Sequence, residues 1–219
     1  MARNINISID EFYHLYNRGN DKRDIFLSEN DYLRFQVLLY LCNNIKSIHL
    51  GDYKNLSTKK LFNLPREETI IDIGAYCLMP NHFHLLIKEK IEGGTSLFMQ
   101  KLSTAYTMYF NKKYKKTGSL FGGRYKAKHL NSNQYLKYQF SYIHLNPISI
   151  IDGGWKEKRL TDFRKARNFL NEYDYSSFKD YIGKNGEAGI ILNKEVFPTY
   201  FANQAEFSKM IDEWIKFSE

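Results

Sequence analysis

Hydrophobic and polar positions alternate from Phe12 to Tyr16 around His14, and Asn17-Arg18-Gly19-Asn20 then breaks the pattern, which predicts a strand running into a turn. After Ser28, apolar residues recur at three- and four-residue spacing through Tyr32, Phe35, Leu38, Leu39 and Cys42. With Asp31 three places after a Ser cap, this predicts a helix over residues 29–43. Residues 45–68 are polar, contain Gly51 and Pro65 and keep no period, so they are expected to form a long loop or small insertion. Two β-branched and apolar runs, 70–77 and 82–88, flank Met79-Pro80-Asn81 and predict a central hairpin. Beyond Gly93-Gly94, Ser96 is the expected cap of a second helix with a stripe of Phe98, Leu102, Ala105, Tyr106, Tyr109 and Phe110. Residues 124–130 read as a strand, and a third helix is expected to run from a cap at 131–133 to Asn146, where Pro147 stops it.

The order strand, helix, two strands, helix, strand, helix predicts an α+β fold. Its expected form is an antiparallel sheet with helices on one face, of ferredoxin-like or RRM-like type. Residues 1–150 form the expected catalytic domain and 151–219 a C-terminal helical extension, with a basic helix at 162–170 and an amphipathic one at 206–217.

Composition narrows the classes. An aromatic share of 16% and only 4 Pro in 219 residues argue for a packed core. The formal charge of +8 is concentrated: no acidic residue lies between Glu92 and Asp152, where Lys101, Lys112, Lys113, Lys115, Lys116, Arg124, Lys126, Lys128 and Lys137 all fall. A polyanionic partner follows from that distribution more than from the total. Cys42 and Cys77 suggest neither a disulfide framework nor a metal-spaced pair, and no stretch of about 18 apolar residues is present, so a cytoplasmic protein without a membrane partner is expected.

Four residues invite chemistry. His82 and His84 stand two apart on a strand and so leave the same face of the sheet, where two imidazoles can share one divalent ion. A pair of hydrogen-bonded histidines on a half-buried strand is the plainer alternative. Tyr142 and Asn146 lie one turn apart on the third helix. If that face opposes the histidines, the Asn146 side-chain oxygen can complete a metal site while Tyr142 points its hydroxyl at a polarised phosphate. A phenol attacks usefully only with such assistance, and imidazole plus amide ligation leaves room for phosphate oxygens around Mg²⁺ or Mn²⁺. Without that context Tyr142 would be one core tyrosine among 17.

The blocks Tyr76-Cys77-Leu78-Met79-Pro80-Asn81-His82-Phe83-His84-Leu85-Leu86-Ile87 and Tyr142-Ile143-His144-Leu145-Asn146-Pro147 resemble the two signatures of the REP-associated tyrosine transposases, relatives of the single-tyrosine HUH transposases of insertion sequences. Tyr16-Asn17-Arg18-Gly19-Asn20, Gly118-Ser119-Leu120-Phe121, Arg124-Tyr125-Lys126 and Tyr175-Ser176-Ser177-Phe178 agree, and the resemblance spans about residues 11 to 183. It implies that Tyr142 is the nucleophile, that His82, His84 and Asn146 hold the metal, and that the substrate is single-stranded DNA with hairpin repeats, cleaved through a 5′-phosphotyrosine. It leaves open whether a homodimer forms and whether the site is built within one chain.

The candidate DNA contacts are Lys112, Lys113, Lys115 and Lys116 around Tyr114, then Arg124, Lys126 and Lys128 around Tyr125, with Arg18 added by its family-like block. Tyr138, four residues before Tyr142, imitates a second nucleophile but is read as a packing residue, and residues 148–152 depart from the family pattern. Two other readings stay open: a non-catalytic hairpin-binding protein, and a metal-dependent phosphodiesterase that uses water.

Overall fold

The computed structural model describes residues 6–46, 56–155, 160, 162–184, 186–198 and 203–216. Its centre is an antiparallel sheet of order β2-β3-β1-β4, with β1 Phe12–Arg18, β2 Ile71–Met79, β3 His82–Glu89 and β4 Lys126–His129. This is the expected α+β architecture. Cross-strand partners share a face, so the register places Tyr16, His84 and Cys77 in one row, Arg18, His82 and Met79 in the next, and His14, Leu86 and Lys128 in a third.

On the opposite face Tyr13, Leu15, Ile73, Tyr76, Leu78, Phe83, Leu85 and Ile87 pack against α1 (Glu29–Leu41) and α3 (Gly94–Tyr114). α1 begins as its sequence predicts: Asp31 accepts from the Ser28 amide at 3.0 Å in a capping box. α3 starts earlier than predicted. Its N-cap is Gly93, at φ +70° where only glycine is comfortable, and Ser96 lies inside the helix. The buried Glu89 does the capping instead, accepting from the Thr95 amide at 2.9 Å and from the Thr95 hydroxyl. A carboxylate brought in from β3 outcompetes a local serine because it satisfies the helix start from within the core.

The histidine-bearing face is covered as well. α4 (Asn133–Leu145), capped by Ser132 through the Tyr135 amide, lays Leu136, Phe140 and Ile143 on Ala75, Cys77, Met79 and Leu86. Pro147, which follows the end of α4, caps a further turn, α5 (Ile148–Ile151). In the insertion, residues 47–55 lie outside the described residues, and α2 (Thr58–Leu61) is a single helical turn.

The extension shares the core on this face. α6 (Phe163–Glu172), α7 (Phe178–Tyr181) and α8 (Gln204–Lys216) contribute Leu170, Phe178, Tyr181, Phe207, Ile211 and Ile215. The segment before α7 also pairs with the outer edge of β2: the Leu78 amide donates to Tyr175 at 2.8 Å and the Ser177 amide to Tyr76 at 3.0 Å. That pairing satisfies an edge that would otherwise invite aggregation.

Candidate active site

β3 emerges from the Met79-Pro80-Asn81-His82 turn with His82 half-buried and His84 buried, ring centroids 5.0 Å apart and nearly perpendicular. Each ring is oriented from behind. Asn81 donates through Nδ2 to the Lys22 carbonyl at 3.0 Å, which leaves its Oδ1 to accept from His82 Nδ1 at 2.6 Å. His84 Nδ1 lies 2.8 Å from His14 Nε2. Nδ1 is engaged in both rings, which fixes how each imidazole is turned. The turn after β1 fastens to this one: the Gly19 amide donates to the Asn81 carbonyl at 2.9 Å, and Gly19 is close-packed, since a Cβ there would sit 2.2 Å from the Arg23 carbonyl oxygen.

His14 was missed as a site residue. Its only sequence signal is alternation with Tyr16 on a strand, whereas its contact with His84 depends on β1–β3 register. Burial, with Lys128 nearby, pushes its pKa down to about 3, so it is neutral at physiological pH and the two imidazoles share one proton-bearing contact without charge repulsion. Its Nδ1 is buried with no hydrogen-bond partner among the described residues.

α4 brings Tyr142 over this group. Its ring meets His84 edge-on at 5.6 Å and His14 at 6.3 Å. All three of these side chains belong to one chain. Asn146, the C-cap of α4 one turn later, is 1% exposed, and its Nδ2 has no hydrogen-bond partner among the described residues. Among the described residues no group of three or more His, Cys, Asp or Glu side chains is arranged to hold a metal. A cation on the histidine pair therefore needs a donor of another kind, and the buried amide of Asn146 has the required chemistry.

Residues 33–146, more than half of the chain, match the family described as IS200-like transposases. The chain belongs to the IS200-like transposase family. Among solved structures it is similar to a REP-associated tyrosine transposase bound to a REP hairpin, with 13% identity, 90% of this chain and 93% of that chain covered, and a TM-score of 0.50, a likeness of fold. The tRNA(His) guanylyltransferase of Saccharomyces cerevisiae aligns with 12% identity over 92% and 86% of the two chains, but its TM-score of 0.38 carries no weight. No curated protein matches.

In this IS200-like transposase the basic residues divide between layers. Arg18, Lys126 and Lys128 are exposed and share the histidines' face, with Lys126 Nζ 6.0 Å from the Tyr16 ring centre. Arg124 is exposed just ahead of β4, which is shorter than the sequence suggests. Lys112 and Lys113 lie in the last turn of α3 on the opposite layer, Lys115 and Lys116 follow it, and Lys113 is held by the fully buried Asp31 at 2.6 Å. Tyr138 packs edge-on against Trp214 of α8 at 5.2 Å. Among the described residues no helix is long and apolar enough to cross a membrane, and neither cysteine forms a disulfide.

Proposed function

We propose that this protein nicks and rejoins single-stranded DNA, with Tyr142 as the nucleophile. The observation that carries this reading is the placement of Tyr142 against His84 and His14 on a sheet face whose exposed edge is basic. Attack by the Tyr142 oxygen on a backbone phosphorus breaks the bond to the 3′ oxygen. The phenol gives up its proton and the departing oxygen gains one. A 5′-phosphotyrosine and a free 3′-hydroxyl result, and reversal by another 3′-hydroxyl rejoins the strand.

His82 and His84 through Nε2, with the side chain of Asn146, would hold Mg²⁺ or Mn²⁺. That ion would polarise the scissile phosphate and neutralise charge developing on it. Asn81 and His14 keep the two imidazoles in the orientation and tautomer this requires. Arg18, Lys126 and Lys128 supply charge for the phosphate backbone on the same face.

The solved neighbour is bound to a REP hairpin, and a hairpin-bearing single strand is the substrate class we infer here. The test incubates labelled single-stranded DNA from inverted repeats beside the gene with Mg²⁺ or Mn²⁺, for the native chain and Tyr142→Phe, and resolves products on a denaturing gel. A metal-dependent protein–DNA band lost in the variant is expected. Cleavage without that band would replace Tyr142 by water, and binding without cleavage would leave a hairpin-binding protein.

A further inference from the structure

The tyrosines of α4 form a ladder that the chemistry of Tyr142 alone does not require. Tyr135, Tyr138 and Tyr142 recur along one side of the helix; Tyr135 and Tyr138 stack at 6.4 Å and 29°, Tyr138 and Tyr142 at 6.3 Å and 17°. Tyr138 is 43% exposed. It is nevertheless held, because Trp214, itself half-buried, meets it edge-on from α8.

The floor beside this ladder has the complementary chemistry. α4 packs its apolar residues on β2 and β3, while the β1–β4 half of the same face carries half-buried Tyr16 and exposed Lys126 and Lys128. Tyr16 stacks on His14 at 5.0 Å, and Lys126 reaches over Tyr16. The near-parallel rings of α4 thus lead to Tyr142 on the sheet face that also carries Lys126 and Lys128. Phosphates favour the basic side, and unpaired bases favour flat rings that are already fixed. A duplex keeps its base faces covered by its own stacking, so the rings select a single strand.

We propose that Tyr138, backed by Trp214 and flanked by Tyr135, is a base-stacking wall that positions the unpaired strand next to the scissile phosphate. This rests on the proposed single-strand reaction and assigns the C-terminal helix a part in it: α8 holds the platform rigid. Tyr138 is thus a binding residue rather than a second nucleophile.

The test measures equilibrium binding, at low salt, of a short oligodeoxythymidine and of an abasic oligonucleotide of equal length, to the native chain, Tyr138→Ala, Tyr138→Phe and Trp214→Ala. Native protein should prefer the base-bearing strand by about ten-fold, the scale of one stacked base. Tyr138→Ala should lose most of that preference, Tyr138→Phe should keep it and Trp214→Ala should fall between, with abasic binding unchanged throughout. Equal weakening of both probes in Tyr138→Ala, or no change in either, would overturn the stacking wall while leaving the proposed reaction intact. Absence of DNA binding by the native chain would overturn both.

Discussion

Replacing Ser177 with alanine removes one hydroxyl from a place where three elements are fastened together. Ser177 is fully buried; its Oγ accepts from the Tyr76 amide on the outer edge of β2 at 3.0 Å and lies 2.8 Å from His144 Nε2 on α4. His144 Nδ1 faces the Phe140 carbonyl at 2.9 Å and must donate to it, so Nε2 is an acceptor and Ser177 donates to it. Burial holds the His144 pKa down at about 3, and the ring is neutral under any ordinary assay condition. Truncation to alanine strands one buried donor and one buried acceptor, and a missing oxygen leaves too little room for water to replace it. At about 1–3 kcal/mol for each orphaned group, reduced by some local relaxation, the loss should be about 2–4 kcal/mol. That is a large part of the ~5–15 kcal/mol typical of a folded domain.

The expected observation is a urea midpoint lowered at unchanged slope, since the surface exposed on unfolding is the same. Because His144 is two residues from Tyr142, the loosened α4 should also slow adduct formation by roughly ten- to a hundred-fold under conditions where the variant stays folded. A midpoint corresponding to less than about 0.5 kcal/mol of destabilisation would refute the clamp, since surface substitutions without a structural role fall in that range.

Further substitutions test two buried carboxylates. Asp31 accepts from the Leu27 and Ser28 amides, Tyr109 and Tyr114 hydroxyls and Lys113; Asp31→Ala should cost about 3 kcal/mol and Asp31→Asn about half that in chemical denaturation. Burial works to raise the pKa of Asp31, but the bonds from Lys113, Tyr114, Leu27 and Tyr109 outweigh it and hold the folded value low. Its stabilisation is therefore present above the unfolded carboxylate range and lost as pH falls through that depressed value, where native protein and Asp31→Asn should converge. Asp180 is the reverse case, its pKa pushed up to about 6 by burial with only partial relief from Lys194. The fold binds its proton more tightly than the unfolded chain, so ionisation destabilises the protein as pH rises toward 6. Asp180→Asn should gain about 1–2 kcal/mol above pH 6 and nothing near pH 4; thermal melts showing no pH-dependent gain would contradict this.

Local pattern determined much of this protein. Periodicity and punctuation place β1, α1, the central hairpin, α3, α4 and the C-terminal helix to within a few residues, because short-range sterics and the need to bury one face act within each segment. The capping box at Ser28 and the shared face of His82 and His84 are of this kind, as is the one-turn spacing of Tyr142 and Asn146. Tertiary structure decided what distant segments do to one another. It put α4 and the extension over the histidine face, chose Glu89 over Ser96 to cap α3, gave His84 its partner His14, and tied Lys113 to Asp31. It also set Trp214 behind Tyr138. Each of these depends on strand register or on residues tens of positions apart meeting in a packed core, where the identity of a neighbour is fixed by the whole fold and leaves no period in the chain.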